Sequence, residues 1–335
     1  MIKEAIIALS KKQDLSYETA EAVMDEIMTG AASPVQMSAY LTALSLKGET
    51  IPEITASAAG MRRHCIRLLH DVNALEIVGT GGDGANTFNI STTAAILAAA
   101  AGVPVAKHGN RSASSQCGSA DVLEALGVNI TISPEKSAEL LKTIGICFLF
   151  AQNYHIAMRY VAPIRRELGI RTVFNILGPL TNPAGASMEL MGVYDRELVE
   201  PLAEVLCNLG VRNAMVVHGE DGLDEISLTA PTFVCHVKDG NVSTYTITPE
   251  DFGLVRCDKA DLTGGSPAEN AAILRAILHG EHGPKRDAAV LNAAAAITVA
   301  GRCDCIRDGV MIINETINNG NAARKLDEFV KCSNT

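Results

Sequence analysis

The sequence predicts an α/β fold: a small, mainly helical amino-terminal domain plus a large α/β domain with a mostly parallel central sheet. Three observations predict it. The first seventy residues look entirely helical, with repeated helix-start signals. From residue 75, short apolar runs alternate with helical stretches, the pattern of a parallel sheet covered by helices. The chain has 335 residues, 47% of them hydrophobic, enough for two lobes with sizeable cores.

The elements follow in order. Leu15-Ser16 opens a helical run through Met28, which Gly30 stops. Ser33-Pro34-Val35-Gln36 is a capping box with proline at the first helical position, and its helix runs to Lys47-Gly48. Thr50-Ile51-Pro52-Glu53 repeats the device for a helix reaching about residue 68. Such short amphipathic helices carry more apolar surface than they can bury among themselves. They must pack on something else, and a dimer built on them is expected.

Strands are expected at 75–78, 103–106, 147–151, 190–194 and 214–218, and helices at 92–101, 119–126, 134–144, 153–168 and 196–209. Residues 226–247 alternate apolar and polar around Lys238-Asp239-Gly240-Asn241, a hairpin signal and so an antiparallel excursion. Three helices, about 267–280, 285–300 and 318–331, finish the chain.

Bulk properties exclude several classes. The net charge of −10 offers no basic face for nucleic acid, so an anionic ligand must be captured by local groups. No apolar run has the length of a membrane span. Met1-Ile2-Lys3-Glu4 does not open a signal peptide, so a cytoplasmic enzyme is expected. Nine cysteines lack any Cys-x-x-Cys pair, and the closest, Cys303 and Cys305, have no histidine nearby. Reduced thiols, without disulfides or a zinc site, are the reading.

Residues 79–92, GTGGDGANTFNIST, contain Gly79-x-Gly81-x-x-Gly84, the spacing of a dinucleotide fingerprint. A dinucleotide site wants an acid roughly 20 positions on, for the ribose hydroxyls. Here the second strand ends instead at Lys107-His108-Gly109-Asn110-Arg111, and residues 85–93 separate the last glycine from its helix. Asp83 inside the loop repels a phosphate unless it meets a cation or sugar hydroxyls. Asn89, Ser91 and Thr92 stand where a helix begins, whose free N–H groups and dipole favour phosphate. Together these features point to a phosphorylated sugar with a metal, against the plainer reading of a simple helix cap.

Three further segments carry chemistry. Lys107, His108 and Arg111 sit at a strand's carboxyl end, followed by Ser112, Ser114, Ser115 and Ser119, a donor set suited to pyrophosphate. His108 alone is equally a structural histidine. In HGEDGLDEIS, residues 218–227, the adjacent Asp224 and Glu225 follow a strand and read as Mg2+ ligands, direct or through water. The ordinary alternative is a solvated acidic turn. Arg165, Arg166 and Arg171 share a helix end and its exit before Gly178-Pro179 and Asn182-Pro183, and an arginine fixed there can fork onto a substrate carboxylate.

Taken in order and spacing, GTGGD at 79–83, NIST at 89–92, KHGNRSASS at 107–115, GSADVLEALG at 118–127, RRELGIRTVFNILGPL at 165–180 and DGLDE at 221–225 resemble the anthranilate phosphoribosyltransferases of the tryptophan pathway. The resemblance covers nearly the whole chain. It implies a nucleoside phosphorylase/phosphoribosyltransferase-like fold, with a helical domain at 1–70 plus an insertion near 160–187 and an α/β domain at 71–335. It also implies a hinged cleft, a homodimer through the helical domains, and Mg2+; an association with anthranilate synthase is left open. Gly79, Gly82, Asp83, Thr87, Asn89, Ile90, Ser91 and Thr92 match positions that bind phosphoribosyl pyrophosphate in the family. So do Lys107, His108, Gly109, Asn110, Arg111, Ser112, Ala113, Ser114, Ser115 and Ser119. Ser91, Asp224 and Glu225 match magnesium positions, and Gly79, Asn110 and Arg165 match anthranilate positions. On that basis Lys107, the loop amides and Mg2+ are expected to stabilise the leaving pyrophosphate, while Asn110 and Arg165 orient the aromatic acid.

One departure stands out. The family often reads Ala-Pro-x-x-His-Pro-Ala-Met where this chain places Gln152 and Ile156 at the two proline positions, which bears on anthranilate affinity and not on the reaction. Two rival readings are weaker. A pyrimidine nucleoside phosphorylase shares the general fold and runs the chemistry with phosphate, but its Arg-Gly and Gly-Gly-Thr-x-Asp signatures are absent. Against a non-catalytic phosphoribosyl-binding regulator stand the intact acids and Lys107.

Overall fold

The computed structural model describes residues 1–112 and 115–335; Ala113 and Ser114, both expected at the pyrophosphate, lie outside the described residues. The chain opens with α1 (Ile2–Ser10), α2 (Tyr17–Met28), α3 (Pro34–Lys47) and α4 (Ile51–Arg63). The Ser16 hydroxyl accepts from the Thr19 N–H, and Ser33/Gln36 and Thr50/Glu53 form the two expected capping boxes. Glu53 does more than cap: it is fully buried, accepts from the Leu15 N–H at 2.8 Å and pairs with Lys47 at 2.8 Å. It thereby fastens α3, α4 and the approach to α2 at one point.

Helix α4 stops at Arg63, not near residue 68 as expected. Beyond it, the Ile66 and Leu68 N–H groups donate to the Tyr154 and Pro183 carbonyls, so other segments satisfy the donors that a longer helix would have used. The expectation that the first seventy residues are all helical is corrected accordingly.

The sheet follows: β1 (Leu75–Gly79), α5 (Ile90–Ala100), β2 (Val105–Gly109), α6 (Ser119–Ala125), α7 (Pro134–Thr143), β3 (Ile146–Phe150). The expected helix at 153–168 is broken into α8 (Ala151–Tyr154), a 3-10 turn at Ile156–Tyr160 and α9 (Ala162–Leu168). Pro163, lacking an N–H, can sit only in the first turn of α9, which forces the restart. Then come α10 (Phe174–Leu177), β4 (Met188–Gly192), α11 (Val199–Asn208), β5 (Asn213–Gly219), β6 (Thr232–Lys238) and β7 (Asn241–Ile247). The last two are the expected hairpin, turned on Asp239 and Gly240 at φ 49° and 79°.

Four helices close the described chain, not three: α12 (Pro267–Leu278), α13 (Pro284–Val299), α14 (Ile306–Asn318) and α15 (Asn321–Ser333). The missed helix, α14, has Gly309 in its interior, which reads as a breaker. In the fold a Cβ there would lie 2.7 Å from the Ala294 carbonyl oxygen, so the glycine lets α14 lie close against α13.

The seven strands are ordered β3-β2-β1-β4-β5-β6-β7, parallel through β5 and antiparallel at β6 and β7. Leu75, Ile77, Leu190 and Met215 face a core shared with α5 and α13. Met191, Ala214 and Val216 face a second core that runs on into Met24, Leu41 and Ile54 of the amino-terminal helices. Those helices therefore bury one apolar face on the sheet side, while Ile7, Val35 and Leu46 stay exposed. The chain adds β2 and β3 on one side of β1, then returns to place β4 and β5 on the other. The carboxyl ends of β1 and β4 thus form a topological switch point, where open α/β sheets hold ligands.

Candidate active site

Three loops converge on that switch point. The loop after β1 carries residues 80–89 and leads into α5; the loop after β5 folds back over the ends of β1 and β4. Asp224 lies there, 9% exposed, its Oδ2 accepting from the Gly81 N–H at 2.6 Å. A Cβ on Gly79 or Gly192 would collide with Asp224, so glycine at both strand ends is what admits the acidic turn. The turn is therefore docked, not solvated. Glu225 Oε1 accepts from the Ser91 N–H at 3.1 Å and from the Ser91 hydroxyl, a carboxylate seated on the first turn of α5.

Burial, with Glu225 and Asp83 beside it, pushes Asp224 well above the usual carboxylate range. Burial lifts Glu225 to about 7, opposed by Ser91 and Lys107. Lys107 is 4% exposed and donates to the Ile77 carbonyl at 2.6 Å. Burial pulls its ammonium below the ordinary range, while Glu76, Glu225 and Asp224 hold its charge in place. No group of three or more His, Cys, Asp or Glu among the described residues forms a metal cage. Two crowded carboxylates and a hydroxyl are an oxygen-only donor set, which suits Mg2+ completed by water and phosphate oxygens.

The other expected residues that the structure describes sit on the segments that follow β1 and β2. Thr87 bridges to Thr263, the Asn89 amide donates to the Cys117 carbonyl, and Ile90 and Thr92 have buried side chains. Asp83 accepts from the Ala85 N–H at 3.2 Å, and Gly82 turns at φ 77°. After β2, Asp121 holds the next loop by accepting from the Ser112 and Gly118 N–H groups, both at 2.9 Å. The Ser112 and Ser115 hydroxyls are 3.0 Å apart, and Ser119 donates to the Asn110 carbonyl. Gly109 packs against Ser119 and Phe148. Arg111 is drawn to Asp121 and Glu124, at 2.9 and 2.8 Å, so its charge is already matched by protein.

Arg165 differs. It projects from α9 with its guanidinium 5.6 Å from the Phe174 ring centroid, and burial alone pulls it below the usual range, with no acid opposing the shift. Asn110 Oδ1 lies 3.5 Å from the Gln152 amide, so the residue at the missing proline reaches toward an expected anthranilate position.

Sequence reasoning missed a buried polar layer under the strands. Glu76 accepts from the Ile77 and His108 N–H groups at 3.0 and 2.9 Å and from the Asn182 amide. It stands in register with Glu189 on β4, and burial lifts Glu76 to about 8 and Glu189 well above its usual range. The signal was a lone acid inside each apolar strand, Leu-Glu-Ile-Val and Met-Glu-Leu-Met. His155 was missed too. Its ring centroid is 5.0 Å from that of His108, and burial pulls it down to about 4 and His108 well below its usual value.

Comparison with known proteins adds a family context. Residues 71–323 match the glycosyl transferase family, a/b domain, and residues 3–65 match the glycosyl transferase family, helical bundle domain. The anthranilate phosphoribosyltransferase of Methanobrevibacter smithii is 63% identical over 335 residues, covering 100% of both chains. That of Lachnoclostridium phytofermentans is 62% identical, covering 100% of this chain and 99% of its own. Among solved structures, anthranilate phosphoribosyltransferase from Thermus thermophilus superposes with a TM-score of 0.94 at 46% identity, covering 99% of each chain. The Saccharomyces cerevisiae enzyme in complex with PRPP (phosphoribosyl pyrophosphate) and Mg gives 0.91 at 29% identity, covering 99% of this chain and 98% of its own.

Proposed function

Since the chain belongs to the anthranilate phosphoribosyltransferase family, we propose that its own residues carry the transfer from the switch point between β1 and β4. The activity is that of the family, in tryptophan biosynthesis. The phosphoribosyl group of 5-phosphoribosyl 1-pyrophosphate passes to the amine of anthranilate, giving N-(5-phosphoribosyl)anthranilate and pyrophosphate. The observation that carries our placement is the Asp224–Glu225 turn clamped onto Gly81 and Ser91.

In the reaction the bond from the anomeric carbon to pyrophosphate breaks, a bond to the amine nitrogen forms, and the amine gives a proton to water. An aryl amine is already neutral at pH 7, so no strong base is required. Ser91, Asp224 and Glu225 would hold Mg2+, which when bound supplies positive charge to the pyrophosphate oxygens. Gly79, Gly82, Asp83, Thr87 and Asn89 to Thr92 would form one wall of the sugar-phosphate site, and residues 107–112 with Ser115 and Ser119 the other. Lys107 adds a buried positive charge beneath the acids. Arg165 pairs with the anthranilate carboxylate, and Asn110, with the Gln152 amide 3.5 Å away, orients the ring. We assign the helical domain to residues 1–70 with an insertion near 160–187, and the α/β domain to 71–335. A cytoplasmic homodimer is part of the reading, supported by exposed apolar residues on α1 and α3. No helix of the described residues is long and apolar enough to cross a membrane.

The test is direct. Purified protein with Mg2+ should deplete anthranilate fluorescence only when phosphoribosyl pyrophosphate is present. Unchanged fluorescence with demonstrably folded protein refutes the reading.

A further inference from the structure

Arg171 leaves α9 on the segment toward α10 and makes contacts that the reaction as described does not use. Its Nη2 donates to the Gly82 carbonyl at 2.7 Å, and its guanidinium lies 3.8 Å from the Tyr194 ring centroid. Its own carbonyl accepts from the Ser45 hydroxyl of α3 at 2.9 Å. One residue therefore joins an amino-terminal helix, the segment after β4 and the glycine loop. The same loop is braced from below, where the Tyr194 N–H donates to the Thr80 hydroxyl and the Thr80 N–H to the Gly192 carbonyl.

The consequence lies in the loop's amides. Gly81, Gly82 and Gly84 all adopt positive φ, at 69°, 77° and 71°. Among the described residues, no protein acceptor is assigned to the N–H groups of Gly82, Asp83 and Gly84. Successive free N–H groups in such a turn form a concave anion nest. A trans peptide is planar with its C=O and N–H opposed, so fixing the Gly82 carbonyl also fixes the direction of the Asp83 N–H. Three glycines left untied would lose that direction to backbone freedom.

We propose that Arg171 is a positioning residue that holds the glycine loop in the shape that receives the phosphates of phosphoribosyl pyrophosphate, and ties that shape to the helical lobe. The proposal rests on the reading of the loop given above, and deepens it. Arg171 touches no substrate. It acts through Gly82, so its loss weakens the donor substrate and spares the acceptor.

Arg171→Ala is compared with Arg171→Lys, which keeps a charged donor. Calorimetry with phosphoribosyl pyrophosphate and Mg2+, without anthranilate, is the first readout; the KM of each substrate, the melting temperature and amide hydrogen exchange at residues 80–85 are the others. Arg171→Ala should weaken phosphoribosyl pyrophosphate binding about tenfold and speed exchange in the loop, with the anthranilate KM and melting temperature unchanged. Arg171→Lys should recover part of the loss. Because binding is read without turnover, wild-type protein that binds the sugar phosphate but transfers nothing would overturn the assigned reaction while leaving this proposal standing. Unchanged donor binding in Arg171→Ala, a loss confined to anthranilate, or a loss matched by a fall in melting temperature that Lys does not rescue would each overturn it.

Discussion

Arg165 carries a partly buried charge that burial disfavours and no protein acid compensates, a cost that a bound carboxylate would remove. Arg165→Ala should therefore weaken anthranilate by about 1.5–3 kcal/mol, the value of a charge-assisted hydrogen bond, and leave phosphoribosyl pyrophosphate binding intact. Separate KM measurements check this, and a loss falling on the sugar phosphate would place Arg165 elsewhere. His155 makes a prediction about pH. Folding lowers it from 6.5 to about 4, so between those values the unfolded chain binds a proton that the folded chain refuses. Stability is then complete above pH 6.5 and declines as the pH falls toward 4, by about 3 kcal/mol from this group. Neighbouring His108, lowered in the same direction, adds to the slope. Urea midpoints at several pH values should show a flatter acid limb in His155→Gln than in the wild type. Equal slopes would mean that the imidazole is not held neutral.

At the level of elements, α3 presents Val35 and Leu46, each 79% exposed, and α1 presents Ile7 at 56%. Val35 and Leu46 are about three turns apart, so they share one face of the helix. A dimer built on this face should dissociate when Val35→Glu and Leu46→Glu are combined, with the melting of the subunit itself little changed. Sedimentation would decide it, and a wild-type monomer at micromolar concentration would rule the dimer out. Element starts were legible because a cap is local chemistry: Ser16, Ser33 and Thr50 each accept the N–H three residues on. Element ends and interruptions were less so, because distant partners set them. The end of α4 depends on the Tyr154 and Pro183 carbonyls, and α14 tolerates Gly309 only because α13 packs there. The glycine loop and the acids stood out by residue type and order. Glu76, Glu189 and His155 did not, since only the fold sets the two acids in register and His155 beside His108.

At the scale of the whole molecule, reversal of strand order between β1 and β4 opens a crevice, and the turn after β5 fills its floor with two acids. Crowding carboxylates at a buried position costs stability unless a cation answers them. On the proposed reading that cost is offset by magnesium and the leaving pyrophosphate, which the Asp224–Glu225 turn serves in place of folding. A magnesium titration of turnover, with a metal-free melting curve, for Asp224→Asn combined with Glu225→Gln decides whether the turn serves the metal. Turnover should fall by roughly 100-fold or more, with the magnesium requirement raised, while the metal-free variant melts near the wild-type temperature, because losing the repulsion is offset by losing the negative charge that faces buried Lys107. Full activity of the double variant at limiting magnesium would mean that the metal binds elsewhere and that the acidic turn has no part in the transfer.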